Sequence, residues 1–377
     1  MKESRPGHKK HDGPGRGKHH DRPEREHGPR GRGHDDFPEK PMHHGDDLLK
    51  VEGLSVEYTS GKKVVHAVNN VSFEIKRGES LGLVGESGCG KSTIAKAILR
   101  ILPDRGARIS GGKILFKGRD LVQAPEKRLE HVRGAQISMV FQDPMTALNP
   151  VKRILTQVSS VIRLHNPGIS RREANERAIR MLETVGIMRD RVREYPHQFS
   201  GGMQQRVVVA IGLSCNPELL LADEPTTALD VTIQAQVLDM INQLMKERDT
   251  SLLLITHNLG IVAETCDYVA VLYGGEIVEY GSKREIFKNP THPYTIGLFG
   301  ALPDMQSEEG GRLKPIEGIM PEPSDLPAGC KFHTRCPYAT DVCSEGPVPV
   351  VDLGGTHQCQ CHNIEAVRAA NGKEVRA

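Results

Sequence analysis

Residues Gly85–Thr93 read GESGCGKST, between SLGLV (80–84) and TIAKAILR (93–100). The first flank is a short apolar run and the second a helical pattern. The G-x-x-x-x-G-K-[ST] string therefore falls where a strand turns into a helix. That context decides the fold: an α/β core with a parallel sheet, built to hold a nucleotide. Gly85, Gly88 and Gly90 let the backbone bend, so that loop N–H groups from Gly85 through Glu86, Ser87 and Cys89 to Thr93 turn toward phosphate oxygens. The helix N-terminus adds a positive dipole end. Lys91 supplies a point charge to the β- and γ-phosphates of ATP, and the Ser92 hydroxyl is a ligand for Mg²⁺. Cys89 reads as a small loop residue without redox function.

The second half of the site is LLLADEP (219–225), an apolar strand ending in two acids. Asp223 suits the magnesium-binding carboxylate and Glu224 the group that polarises the attacking water. Buried acids without a cation are expensive, so a purely structural role explains them poorly. In SLLLITHN (251–258) a further buried strand delivers His257, whose imidazole is placed to reach the γ-phosphate. Between the halves, apolar Ala174, Ala178, Met181, Leu182 and Val185 recur at helical spacing, and the chain from about 149 to 214 reads as helical.

Two segments there, MVFQDPMTALNP (139–150) and HQFSGGMQQR (197–206), make the chain resemble the ABC-transporter ATPases. FSGGMQ is similar to that family's LSGGQ signature, with Phe199 for Leu and Met203 for the final Gln; Ser200, Gly201 and Gly202 are intact. The resemblance implies a P-loop NTPase (RecA-like) core with an antiparallel β subdomain and a helical signature subdomain. It also implies that Ser200–Gly202 act on ATP held by an opposite subunit. Gln142 matches the glutamine that senses Mg²⁺ and water, Asp230 an inter-subunit contact, and Tyr58 the aromatic that stacks on adenine. Longer stretches, FKNPTHPYTIGLFGALP (287–303) and GCKFHTRCPYATDVC (329–343) above all, resemble the oligopeptide/dipeptide and nickel importer branch. That branch implies an ATPase paired with a paralogue or with itself. It further implies two membrane permease subunits, an extracytoplasmic binding protein, and a place on the cytoplasmic face of the membrane. Peptides are the expected cargo. Nickel or a metal chelate is the alternative, and a separate ABC ATPase working on DNA or ribosomes a distant one.

Composition narrows the classes. Lys and Arg (50) nearly cancel Asp and Glu (48), leaving a net charge of +2, so no strong field for nucleic acid is present. No run approaches the ~18 apolar residues of a membrane span, and no secretory h-region opens the chain. Residues 1–47 hold eight of the 17 histidines and too few apolar side chains for a core; they read as a solvated tail with transient metal chelation as the alternative. The ATPase core is expected over 48–302, with a linker and Cys-rich region over 303–377.

Five of the eight cysteines lie at or beyond Cys330. The expected reducing compartment disfavours disulfides, and the paired short knuckles of a zinc site are missing. On thiol arithmetic alone a [4Fe–4S] cluster and zinc are nearly level. The branch resemblance favours the cluster, with Cys330, Cys336, Cys343 and Cys361 as ligands and Cys359 as a spare.

Overall fold

The computed structural model describes residues 45–301 and 315–374, apart from 62, 227 and 228. The expected histidine-rich tail lies outside these residues except at its last three positions, as does the first part of the linker. Among the described residues twelve strands follow in chain order: β1 (Asp47–Ser60), β2 (Lys63–Lys76), β3 (Ser80–Val84), β4 (Ala107–Phe116), β5 (Arg119–Asp120), β6 (Ile137–Val140), β7 (Leu219–Asp223), β8 (Ser251–Thr256), β9 (Tyr268–Tyr273), β10 (Glu276–Ser282), β11 (Val350–Asp352) and β12 (Gln358–Gln360). They form an antiparallel sheet, β2-β1-β4-β5, and a mixed sheet, β11-β12-β10-β9-β3-β8-β7-β6.

Five adjacent strands of the mixed sheet, β9-β3-β8-β7-β6, are parallel. Their sequences are continuous apolar runs because both faces are covered. Every residue of LLLAD and SLLLIT is buried. Alternation divides each strand between two cores. Leu252 and Leu254 join one that includes the helices Ile154–His165, Arg171–Thr184 and Gly201–Leu213. Leu253 and Ile255 join the other, shared with β1, β2 and the helix Lys91–Ile98. The apolar positions from Ala174 to Val185 face the first core, as their spacing predicts, and Ser170 caps that helix by accepting from the Glu173 amide.

The Cys-rich region is tied to the main sheet at its edge. β12 pairs antiparallel with β10, setting Cys359 opposite Glu279. Glu279 is 1% exposed, and a lone carboxylate at that depth is costly. It is satisfied by the amides of Thr291 (2.7 Å) and His292 (3.0 Å) and by Nε2 of His357 from the Cys-rich region (2.7 Å). Phe332 is the apolar anchor, fully buried against Tyr273 and Tyr294 with ring centroids at 5.1 and 5.4 Å.

His292 carries a pH dependence. Its Nδ1 accepts from the Tyr294 amide at 3.1 Å and caps the helix Pro293–Gly300, which requires a neutral ring. Burial pulls its pKa down to about 4, against the opposing pull of Glu279. In the unfolded chain an ordinary histidine titrates near ~6.5, so the unfolded state takes up this proton first. Stability from this group is thus complete above about pH 6.5 and is lost as pH falls toward 4, by on the order of 3 kcal/mol. Denaturant midpoints measured from pH 7 to 4.5 should fall accordingly. His292→Asn, which keeps a cap acceptor, should flatten the decline, and an unchanged slope would count against this source.

Candidate active site

The strand order β3-β8-β7-β6 lines up the reactive groups along one edge of the sheet, at the carboxyl ends of the parallel strands. The phosphate loop follows β3, His257 follows β8, Asp223 and Glu224 end β7, and Gln142 follows β6. This is where open α/β sheets hold ligands.

The loop's glycines answer to close packing. A Cβ on Gly90 (φ 108°) would lie 2.3 Å from the Ala67 carbonyl oxygen, and one on Gly85 2.2 Å from that of Leu272. No side chain caps the helix Lys91–Ile98, so its first-turn N–H groups are free for an anion. Lys91 is buried, and its Nζ donates to the carbonyls of Gly85 (2.8 Å) and Glu86 (2.9 Å), bending across its own loop. Cys89 is buried, which pushes its thiol pKa up and agrees with an inert packing role.

Ser92 Oγ donates to Asp223 Oδ1 at 2.8 Å, placing a hydroxyl and a carboxylate side by side. Burial raises the Asp223 pKa, with Ser92, Lys96 and Lys91 pulling the other way. A hard dication suits this oxygen pair and offsets the burial cost. Glu224 has a left-handed backbone (φ 46°), with its amide donating to Ile255 O at 2.8 Å. Its carboxylate accepts from Gln142 Nε2 at 2.9 Å and lies 3.3 Å from His257 Nδ1. Tyr58 reaches the same place from β1, its hydroxyl 3.4 Å from Thr93 Oγ1.

Ser200 and Asp230 make other contacts. Each caps a helix, accepting from the Met203 and Ile233 amides respectively, and Gly201 and Gly202 open the helix that Ser200 caps. No described hydrogen bond joins either residue to the phosphate loop.

Two residues that touch this loop, Arg335 and Tyr294, carry no motif in the sequence. Arg335, between Cys330 and Cys336, donates Nη1 to both Glu86 carboxylate oxygens (3.2 and 3.0 Å) and to Tyr273 Oη (3.3 Å). Tyr294 Oη accepts from the Glu86 amide at 2.9 Å. THPYT and CKFHTRC mark the branch by resemblance, and an ionisable side chain amid spaced cysteines is the one local signal they carry.

All eight cysteines of the chain are free, and in the Cys-rich region the thiols of Cys330, Cys336, Cys343 and Cys361 lie near enough for their charges to interact. The amides of Phe332, Tyr338 and Asn363 point at the sulfurs of Cys330, Cys336 and Cys361, each two residues on. Asn363 Nδ2 lies 3.5 Å from Cys343 Sγ. Cys359, in β12, is buried as well, and its charge interacts with those of Cys361 and Cys330. Among the described residues no group of three or more His, Cys, Asp or Glu is arranged to hold a metal ion, so the geometry by itself does not support the expected cluster.

A phosphate loop, a paired Asp–Glu strand end and a helix-capping SGG on a mixed sheet define an ATP-hydrolysing cassette. The family profile described as "ABC transporter" matches residues 68–227, and one described as "Oligopeptide/dipeptide transporter, C-terminal region" matches 278–343. The oligopeptide transport ATP-binding protein OppD of Salmonella typhimurium is 48% identical over 302 residues, 80% of this chain and 89% of that one. The dipeptide transport ATP-binding protein DppD of Bacillus subtilis is 46% identical over 78% of this chain and 88% of its own. Among solved structures, the dimeric cassette MJ0796 bound to ADP and Pi superposes with a TM-score of 0.58 at 27% identity, over 63% of this chain and 99% of that one. The chain belongs to the ATP-binding proteins of ABC transporters, in the oligopeptide/dipeptide branch.

Proposed function

We propose that this chain is the ATP-hydrolysing subunit of a membrane importer of di- and oligopeptides, seated on the cytoplasmic face. The supporting observation is the C-terminal match over 278–343, a segment beyond the ATPase motifs themselves, together with the peptide-transport names of its relatives. Among the described residues no helix is long and apolar enough to cross a membrane. Two permease subunits are assigned as its membrane partners, a paralogous cassette or a second copy as its dimer partner, and an extracytoplasmic binding protein as the source of cargo.

In the proposed mechanism the loop amides of Gly85–Thr93 and Lys91 would hold the triphosphate, and Tyr58 would stack on adenine. Ser92, Asp223 and Gln142 would hold Mg²⁺, which would supply charge neutralisation on the phosphates. Glu224 accepts hydrogen bonds from water and turns it in line with the γ-phosphate, while His257 and Gln142 keep the carboxylate aimed. Ser200, Gly201 and Gly202 of the opposing cassette clamp the same nucleotide, with Asp230 at the seam. Closure on ATP moves the permeases and product release reopens the pair. Reconstitution with the permeases in proteoliposomes tests the cargo. ATPase activity should rise with binding protein loaded with di- or oligopeptides; stimulation by a nickel chelate alone would replace the peptide assignment.

We also propose that Cys330, Cys336, Cys343 and Cys361 hold a [4Fe–4S] cluster. The reading is supported by the resemblance of GCKFHTRCPYATDVC (329–343) to its branch and by four free thiols near enough for their charges to interact. Held there, the cluster would pin a region with little apolar core of its own. Protein purified without oxygen should be brown and carry about four irons per chain, and Cys336→Ser should lose them. A colourless protein with stoichiometric zinc would overturn the assignment.

A further inference from the structure

Glu86 is an acid on a loop whose task is to receive a polyanion, and the chain spends two distant segments on it. The helix Pro293–Gly300 brings Tyr294 Oη to its amide, 208 residues away in sequence. The Cys-rich region brings Arg335 to its carboxylate, 249 residues away. Arg335 is itself fully engaged. Its side chain is 6% exposed, Nε donates to Glu317 O at 3.0 Å, Nη2 to Ile316 O at 3.4 Å, and the guanidinium lies 5.8 Å from the ring centroids of Tyr273 and Phe332. A planar donor fork fixed on five sides has one geometry, so it holds the Glu86 side chain in one place. The same strap brings Met320 over Gly88, within 3.5 Å of where a Cβ would stand.

We propose that Arg335 is a positioning residue of the ATP site: it neutralises and anchors Glu86, so that the phosphate loop presents its amides to the triphosphate without a competing negative charge. The two segments that distinguish this chain from a minimal cassette therefore meet at one residue of the nucleotide loop. Whatever loosens the stretch from Cys330 to Cys343 weakens ATP binding without touching a catalytic group. By linkage, bound ATP holds that stretch more firmly in return.

The proposal rests on the ATPase reading, and Mg-ATP binding by the unaltered full chain is the control that separates the two. Dissociation constants for Mg-ATP are measured by calorimetry on Arg335→Met, Glu86→Gln and the double variant. Methionine keeps an unbranched apolar stem and removes the guanidinium, with its donors to Glu86, Tyr273, Glu317 and Ile316; the double variant separates the Glu86 charge from those other contacts. Arg335→Met should weaken ATP at least about tenfold, because a half-buried acid is left unpaired beside the phosphates. Adding Glu86→Gln should bring affinity back to within about threefold, and raising salt should narrow the single variant's deficit. Should Arg335→Met not fold, Glu86→Gln alone decides: affinity equal to or tighter than the parent supports the assignment. Parent-like binding by Arg335→Met, a double variant no better than the single, or a tenfold loss in Glu86→Gln would each overturn it.

Discussion

Replacing Glu224 with glutamine is expected to slow ATP hydrolysis by about 10²- to 10⁴-fold while Mg-ATP continues to bind. The substitution isolates chemistry from architecture. Glutamine has the same length, keeps an oxygen for the Gln142 Nε2 hydrogen bond, and meets the same left-handed backbone at φ 46°. What disappears is the carboxylate's capacity to take or strongly polarise a water proton. The phosphate contacts proposed for Lys91 and the loop amides are untouched, so binding measured with a non-hydrolysed analogue should stay within a few-fold. Single-turnover hydrolysis reads the chemical step directly. A variant that turns over ATP at the parent rate would remove Glu224 from the proposed mechanism and leave His257 as the group to examine.

Phe332→Ala should be the most damaging single change outside the nucleotide site. The ring is 2% exposed and is enclosed by Tyr273, Tyr294 and His292, with Arg335 above it. Truncating such a side chain costs about 3–5 kcal/mol from lost transfer energy and the cavity left behind. The damage should be local, because the parallel sheet and both of its cores are formed mainly by residues before 302. Limited proteolysis should therefore release the Cys-rich region early and leave a fragment of the cassette. Uniform loss of the whole chain would mean that the two parts unfold as one unit.

The nucleotide half of the site was legible because its chemistry is local. GESGCGKST carries glycines, lysine and hydroxyls within nine residues, and LLLADEP announces both a buried strand and the acids at its end. Helical spacing from Ala174 to Val185 likewise states which face is buried. β4 and β5 turn at Lys117 and Gly118, both at positive φ, where the K-G pair of the string already marks a turn. What could not be read were contacts that chain folding alone creates. Arg335 and Glu86 are too far apart for any local pattern to link them, and nothing in the string QCQ marks a strand. His257 turns toward Glu224 in this structure, a placement that a motif lists only as a histidine after a strand.

The seam between β12 and β10 bears on solubility as well as shape. An unpaired strand edge is a template on which other chains add, and natural proteins blunt such edges with short or charged cover. β10 runs seven residues, Glu276–Ser282, and with β12 absent its outer side would offer free backbone donors and acceptors to any neighbour. The cover is three residues of β12, then three of β11, whose last residue is the acid Asp352. The Cys-rich region thus acts as an end cap that stops the main sheet from growing, a protection that a chain shortened to the bare cassette would give up.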